Sequence, residues 1–285
     1  MKSFVSKMFA GALMALTLVG AVAAQAQESI WQRVNDTKVL RLGVAPYAPF
    51  SYKDPVGTAP GGLKQGNDTW RGISVRMGMN LAEALGAQVE IVELTWASAV
   101  AAIQNGQVDL FFGLDGTPQR AVAVEFVHQP VYRYAYVFYG KDEVNADSWA
   151  DLDTADITIG LVVGTNFETV LAELAPKATV KRFQSSSEVL AAFQTGQIDG
   201  TIVTPASADL SRAKLKSGKV SLIDGPAIYL PILATIPRES DQRWRHFLET
   251  SLQYMSDTGT TRRLYREELT AAGVPAEQVN ALFIQ

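Results

Sequence analysis

Apolar and polar positions alternate with period two along 39–44 and again along 89–94, which predicts two strands. Between them the spacing changes. Along 74–85 apolar residues recur every three or four positions, which predicts a helix closed by Gly86. A further helix over 96–105 and a strand over 108–112 follow. A second stretch repeats that order: strand 157–162, helix 167–174, short strand 179–183, a helix that starts at Ser185, Ser186 and Ser187 and runs to Thr195, and strand 198–203. Each half reads β-α-β-α-β, which predicts an α/β fold of two similar units, each an open, mainly parallel sheet with helices on both faces. The segment 53–71, rich in Gly, Pro, Asp and Asn, is expected as an exposed loop, and 242–269 as amphipathic helix. The chain is expected to leave the first unit along 137–141 and to return along 228–234, with 142–156 as a polar connector. Two crossings would make a hinge.

The repetition is close to literal at one corner. Residues 101–109 read Ala-Ala-Ile-Gln-Asn-Gly-Gln-Val-Asp, and 191–199, 90 residues on, read Ala-Ala-Phe-Gln-Thr-Gly-Gln-Ile-Asp. Gly106 and Gly196 suit the left-handed position that ends a helix, where a Cβ is costly. Asp109 and Asp199 each open an apolar, strand-like run. Two such units imply a cleft between them, and such clefts are preferred ligand sites.

Composition narrows the setting. The chain has 285 residues, no cysteine and a net charge of −4. Lys2 and Lys7 precede an uncharged apolar run over 8–24, which ends at Ala24-Gln25-Ala26. This pattern predicts a secretory signal peptide over 1–26, cleaved near Ala26; the competing reading is a short membrane anchor. Without cysteine there is no disulfide, thiolate metal site or lipid-bearing cysteine, and a free periplasmic protein is expected. No basic run points to nucleic acid. His128 and His246 lie far apart without a ligand-like cluster, so no metal and no cofactor is expected.

The candidate chemistry clusters at the predicted C-terminal ends of strands. The segment 113–120 follows the strand after the first corner and contains Gly113, Asp115, Thr117 and Arg120. Arg120 is a planar donor suited to gripping a carboxylate. Tyr47 and Phe50 follow the first strand, and Trp96 begins a helix at the same rim; Phe50 reads as core, while Tyr47 and Trp96 read as cleft aromatics. In the second unit Gly164, Thr165 and Asn166 open a helix whose N–H groups favour an anion. Thr204 follows the last strand of that unit.

These residues, in this order, resemble the family 3 extracellular solute-binding proteins, the amino-acid receptors of bacterial ABC transporters. The likeness runs from Val39 to about Leu269. It is carried by Leu42-Gly-Val with Tyr47-Ala-Pro-Phe50, Gly72 with Leu81-Ala-Glu-Ala-Leu-Gly86, Trp96, the two Gly-Gln-x-Asp corners, Thr117-Pro-Gln-Arg120, Val124-Glu-Phe126 with Pro130-Val-Tyr132, and Gly164-Thr165. The resemblance implies a type II periplasmic binding protein: lobe I from 27–138 and 231–285, lobe II from 139–230, closing on a small carboxylate solute such as an amino acid. It implies an inner-membrane ABC permease as partner, a monomer and no catalysis. By motif position Arg120 falls on the arginine that holds the ligand carboxylate, with Gly113 and Thr117 in the loop around it. Tyr47 and Trp96 fall on flanking aromatics, and Thr165 on the carboxylate contact of lobe II.

The sequence departs from the family pattern in places. Asp115 stands where relatives carry Ser or Thr, and Thr204 stands where an acid usually meets the ligand ammonium. Ser74 and Arg76 replace two aspartates common after Gly72. Asp115 could supply the missing charge; otherwise the ligand lacks an α-amino group. Two alternatives from the same scaffold are a periplasmic dehydratase of cyclic acids and an accessory protein of a periplasmic dehydrogenase. A dehydratase needs an acid in the cleft, and Arg120 beside Asp115 is expected to keep that carboxyl strongly acidic. The accessory reading draws on the tyrosine-rich run 132–139, whose other reading is a buried strand.

Overall fold

The computed structural model describes residues 28–57, 60–224 and 229–274. The predicted signal peptide lies outside them. The chain opens with α1 (Ile30–Thr37) and β1 (Val39–Val44), then β2 (Tyr52–Lys53), β3 (Leu63–Gln65), β4 (Asp68–Arg71), α2 (Ile73–Ala84), β5 (Gln88–Glu93), α3 (Trp96–Gln104), β6 (Leu110–Phe112), α4 (Pro118–Ala123) and β7 (Glu125–Ala135). It continues with β8 (Val137–Gly140), α5 (Trp149–Leu152), β9 (Thr158–Val162), α6 (Asn166–Leu174), β10 (Thr179–Phe183), α7 (Ser186–Gln194), β11 (Gly200–Val203), α8 (Pro205–Leu215) and β12 (Lys219–Leu222). It ends with β13 (Tyr229–Ile236), α9 (Arg243–Asp257) and α10 (Thr260–Ala271). Among the described residues no helix is long and apolar enough to cross a membrane.

Two five-stranded sheets form, ordered β5-β1-β6-β13-β7 and β10-β9-β11-β8-β12. The pairing repeats: the first three strands of each are parallel, and the fourth is antiparallel to both neighbours. That antiparallel strand is in each case the one arriving from the other half of the molecule. By sheet membership the outgoing crossing falls at Tyr136, between β7 and β8, because Val137 already pairs with Val203 and Leu222. The return strand belongs to the first sheet from Tyr229 onward, where it pairs with Ala135. The crossings are therefore tighter than the hydropathy pattern implied, since strand pairing absorbs most of the two segments expected as crossings.

The twin corners are built alike. α3 and α7 end in the same way: Gly106 (φ 64°) and Gly196 (φ 71°) adopt the left-handed conformation. Gln107 N–H then bonds Ala102 C=O at 3.0 Å, and Gln197 N–H bonds Ala192 C=O at 2.8 Å. These bonds satisfy the last helical carbonyls. Each aspartate then ties to the first strand of its sheet. Arg41 N–H donates to Asp109 at 2.7 Å, and Thr158 N–H donates to Asp199 at 2.8 Å. One residue before each aspartate, Val108 and Ile198 press against a strand glycine. A Cβ on Gly43 would lie 3.1 Å from Val108, and one on Gly160 would lie 2.5 Å from Ile198. Glycine inside a strand marks this kind of close approach.

The C-terminal region docks on the first sheet. Trp244, Leu248, Leu252 and Met255 line one face of α9 and are buried. The Trp244 indole N–H reaches Asp109 C=O at 3.0 Å, which fixes α9 against the first corner. The helix expected over 242–269 is broken in two at Gly259, whose φ of 72° leaves the helical region. On α10, Glu268 is buried; it accepts from Arg71 at 3.1 Å, Arg76 at 3.0 Å and Gly72 N–H at 2.9 Å. Arg76, one of the departures after Gly72, thus has its counter-charge on the C-terminal helix.

The segment 53–71 differs from expectation. β2, β4 and β3 form a small antiparallel sheet. The Gln65 amide pairs with the main chain of Ile91 in both directions, at 2.7 and 2.9 Å, on the edge strand β5. A side chain there covers an edge that would otherwise template another strand. Strands this short, punctuated by glycine, carry no period long enough to read.

Candidate functional site

A cavity of about 190 Å³ lies between the two sheets, lined from both sides. Of the residues singled out in the sequence, Tyr47, Trp96, Gly113, Asp115, Arg120, Thr165, Asn166 and Thr204 line it. Thr117 does not. Its hydroxyl caps α4, accepting from Arg120 N–H at 3.3 Å, with Pro118 at the first helical position. Thr204 plays the same part for α8, accepting from Ser207 N–H at 3.4 Å ahead of Pro205. The Thr-Pro pair is thus a second repeated corner, three residues out of step with the first. That slip in spacing hid it in the sequence.

The repeat places Arg120 and Ser207 at equivalent positions on α4 and α8, and both reach across the cleft. Arg120 donates to Gly164 C=O at 2.7 Å, and Ser207 donates to Ala48 C=O at 2.8 Å. Thr204 N–H donates to the Tyr47 hydroxyl at 3.3 Å. Gly164 packs so closely that a Cβ would lie 2.6 Å from Ala97 on α3. The described conformation is therefore closed, with the two sheets' loops in direct contact.

Arg120 does not pair with the Asp115 carboxylate. Arg120 donates instead to Asp115 C=O, at 3.1 Å. The Asp115 carboxylate is buried and accepts hydrogen bonds from the Tyr134 hydroxyl at 2.6 Å and the Tyr136 hydroxyl at 3.2 Å. Tyr136 in turn accepts from the Asn166 amide at 3.2 Å, so a chain of hydrogen bonds runs from the first unit through the crossing residue to the second. Burial raises the Asp115 carboxyl above its ordinary value, and the two hydroxyls and the Arg120 charge only partly counter this. The expectation of a strongly acidic carboxyl is thereby corrected: desolvation outweighs an arginine that faces the carbonyl instead.

The aromatic run after Pro130 forms a wall. Tyr132, Tyr134, Tyr136 and Tyr139 are buried, and only Arg133 between them is exposed. Tyr132 stacks on Phe50 at 5.5 Å between ring centres, and Phe50 stacks on Tyr47 at 5.7 Å. Phe50 is core, as read, and also cavity wall. Burial also raises the Tyr47 hydroxyl. Sequence reasoning passed over Tyr134, Tyr136 and Ser207 as site residues. The period-two spacing of the tyrosines was the available signal for the first two. Among the described residues no cluster of His, Asp or Glu suits a metal ion.

The topology, with two like sheets exchanging one antiparallel strand each across a two-segment hinge, defines the type II periplasmic binding-protein fold. The chain belongs to the bacterial extracellular solute-binding proteins, family 3, whose model matches residues 40–270. It is 24% identical over 200 residues to the arginine-binding extracellular protein ArtP of Bacillus subtilis, covering 69% of this chain and 72% of that one. It is 33% identical over 134 residues to the cyclohexadienyl dehydratase of Pseudomonas aeruginosa, covering 47% of this chain and 44% of the enzyme. Among solved structures, an ancestral amino-acid-binding protein described as a precursor of cyclohexadienyl dehydratase superposes with a TM-score of 0.73 at 26% identity, over 85% of this chain and all (100%) of that one. An L-arginine-bound substrate-binding protein of Streptococcus pneumoniae superposes at 0.74 with 17% identity, over 85% of this chain and 99% of the other, a likeness of fold.

Proposed function

We propose that this solute-binding protein works in the periplasm, after loss of its leader, as a monomeric receptor that delivers a small carboxylate to an inner-membrane ABC permease. The observation that carries the reading is Arg120. It lines the cavity, and its guanidinium sits where the two lobes meet, donating to the Gly164 carbonyl of the opposite lobe. A ligand carboxylate on Arg120 would therefore touch both sides at once. Closure would be favoured because the solute gains contacts only in the closed state. The lobes are proposed as 27–138 with 231–285, and 139–230. Tyr47, Trp96, Gly113, Asp115, Thr165, Asn166 and Thr204 are proposed as ligand neighbours, and Thr117 as the cap that orients Arg120. The chain acts without catalysis and without a cofactor. Titrating the protein with carboxylates while following its unfolding temperature tests this. A rise with at least one small carboxylate, absent in Arg120→Ala, is expected. No rise with any, and an equally inert variant, sinks the receptor.

One observation favours the dehydratase as a second reading. The buried Asp115 carboxyl holds its proton above the ordinary range, which suits a general acid better than a carboxylate paired with arginine would. Incubation with cyclic dienyl carboxylates at high protein concentration decides it: turnover that vanishes in Asp115→Asn supports an enzyme, and a flat trace removes it.

A further inference from the structure

We infer that the solute is a carboxylate without an ammonium group, an oxo or hydroxy acid with an apolar or aromatic body; this rests on the receptor reading and specifies its ligand. The charges lining the cavity point there. Arg120 and Lys214 are positive, and Asp115 is the one acid among the lining residues. Lys214 is exposed at the rim and partly screened by water, whereas Arg120 is half-buried between the lobes.

Asp115 is already engaged. Each of its carboxylate oxygens accepts a tyrosine hydroxyl, and one of those tyrosines is itself held by Asn166. Its burial also weakens its hold on negative charge. The opposite wall offers no acid. The Thr204 hydroxyl is tied to Ser207, at 3.1 Å to its hydroxyl and 3.4 Å to its N–H, and the Ser207 proton goes to Ala48 C=O. Apart from Asp115, an ammonium brought into this space meets only neutral oxygens, with no second acid to offset its charge. A buried charge without a counter-charge is strongly disfavoured.

A monoanion offsets the surplus positive charge of the lining. A zwitterion leaves it standing, and a doubly cationic amino acid adds to it. The remaining wall, with Phe112, Tyr132, Leu190, Phe193 and Ile232, takes an uncharged body.

The test is calorimetric titration of the mature chain with matched pairs that differ only at Cα: phenylpyruvate against L-phenylalanine, pyruvate against L-alanine, 2-oxoglutarate against L-glutamate, with L-lysine beside them. The oxo acid of at least one pair is expected to bind about tenfold or more tighter than its amine, and L-lysine not at all. Thr204→Asp keeps a helix-capping side chain while adding a carboxylate to the wall. It is expected to shift the preference toward the amine of that pair by about tenfold or more. An amino acid that matches or exceeds its oxo acid in the unaltered chain overturns the inference and leaves the receptor standing. Silence across all pairs, with Arg120→Ala indistinguishable, overturns the receptor and the inference with it.

Discussion

The corner at Asp109 and the corner at Asp199 share their residues, their helix ends and their strand contacts, yet they sit in different surroundings. Asp109 has no exposed side chain; it takes Arg33 and Arg41 as ion-pair partners, with Arg41 at 2.6 Å, and lies beneath Trp244 of α9. The Asp199 side chain is 25% exposed and, among the described residues, has Lys141 as its one ion-pair partner, at 2.7 Å. The sequence motif therefore specifies the local hydrogen bonds, while the surrounding elements set how much each bond is worth. The first lobe acquires its extra layer because the C-terminal helices return to it, and among the described residues the second lobe has no counterpart.

The cleft shows the same contrast. Arg120 and Ser207 occupy equivalent helix positions and each crosses to a carbonyl on the other side. One of them carries a charge. The near-symmetric frame thus holds an asymmetric site, with Arg120 set between the lobes from the first and, on the second, a hydroxyl-bearing wall whose one charged lining residue is Lys214 at the rim.

The corners can be set against each other by mutation. Asp109→Ala removes a fully buried carboxylate and leaves two part-exposed arginines and a strand N–H without their acceptor, and should lower unfolding free energy by about 3 kcal/mol. Asp199→Ala should lower it by about 1–2 kcal/mol, because water already reaches this carboxylate and one cation instead of two loses its partner. Urea unfolding of the two variants reads the difference, and equal losses would show that α9 adds nothing at the first corner. At the cleft, Arg120→Ala should weaken solute binding by about 2–4 kcal/mol, whereas Ser207→Ala should cost about 1 kcal/mol. Comparable losses would make the two lobes equal partners in recognition.

Where the two regions are alike, the effects should match. A Cβ on Gly106 or Gly196 meets nothing within 4 Å, so Gly→Ala at either costs only the left-handed backbone, about 1 kcal/mol in each case. A large inequality would mean the helix ends differ in a way their hydrogen bonds do not reveal.

The smallest effect is in pH dependence. Burial holds the Asp115 carboxyl above its unfolded value, so its contribution to stability is present at low pH and is lost as pH rises from about 4 through its folded value. Burial pushes Asp199 the same way, but Lys141 and Thr158 N–H outweigh it and hold it low. Its contribution is present above about pH 4 and is lost on acidification. Asp115→Asn should therefore gain on the parent protein as pH rises, and Asp199→Asn should lose. Chemical unfolding between about pH 3 and pH 7 checks both signs.

The order of strands and helices within the repeated units, the two-fold repetition and eight of the residues that line the cavity were legible in the amino-acid sequence. Periodicity reports which face of an element is buried, and the Gly-Gln-x-Asp corners carry their own local geometry. The site residues could be counted off because they follow strands, where a parallel sheet opens its crevice. Contacts between residues far apart in the chain were not legible. That Arg120 faces the Asp115 carbonyl instead of its carboxylate, that two tyrosines hold that carboxylate, that Glu268 answers Arg76, and that Gln65 seals an edge strand all depend on docking between elements. No local pattern encodes them. The charge of Asp115 was misjudged for the same reason: which residues carry charge is written in the chain, but desolvation is a property of everything packed around them. The sequence by itself determined two similar α/β lobes facing a cleft that contains an arginine. The tertiary structure alone decided how that cleft is charged, because burial and long-range hydrogen bonds set the energy of each ionisable group.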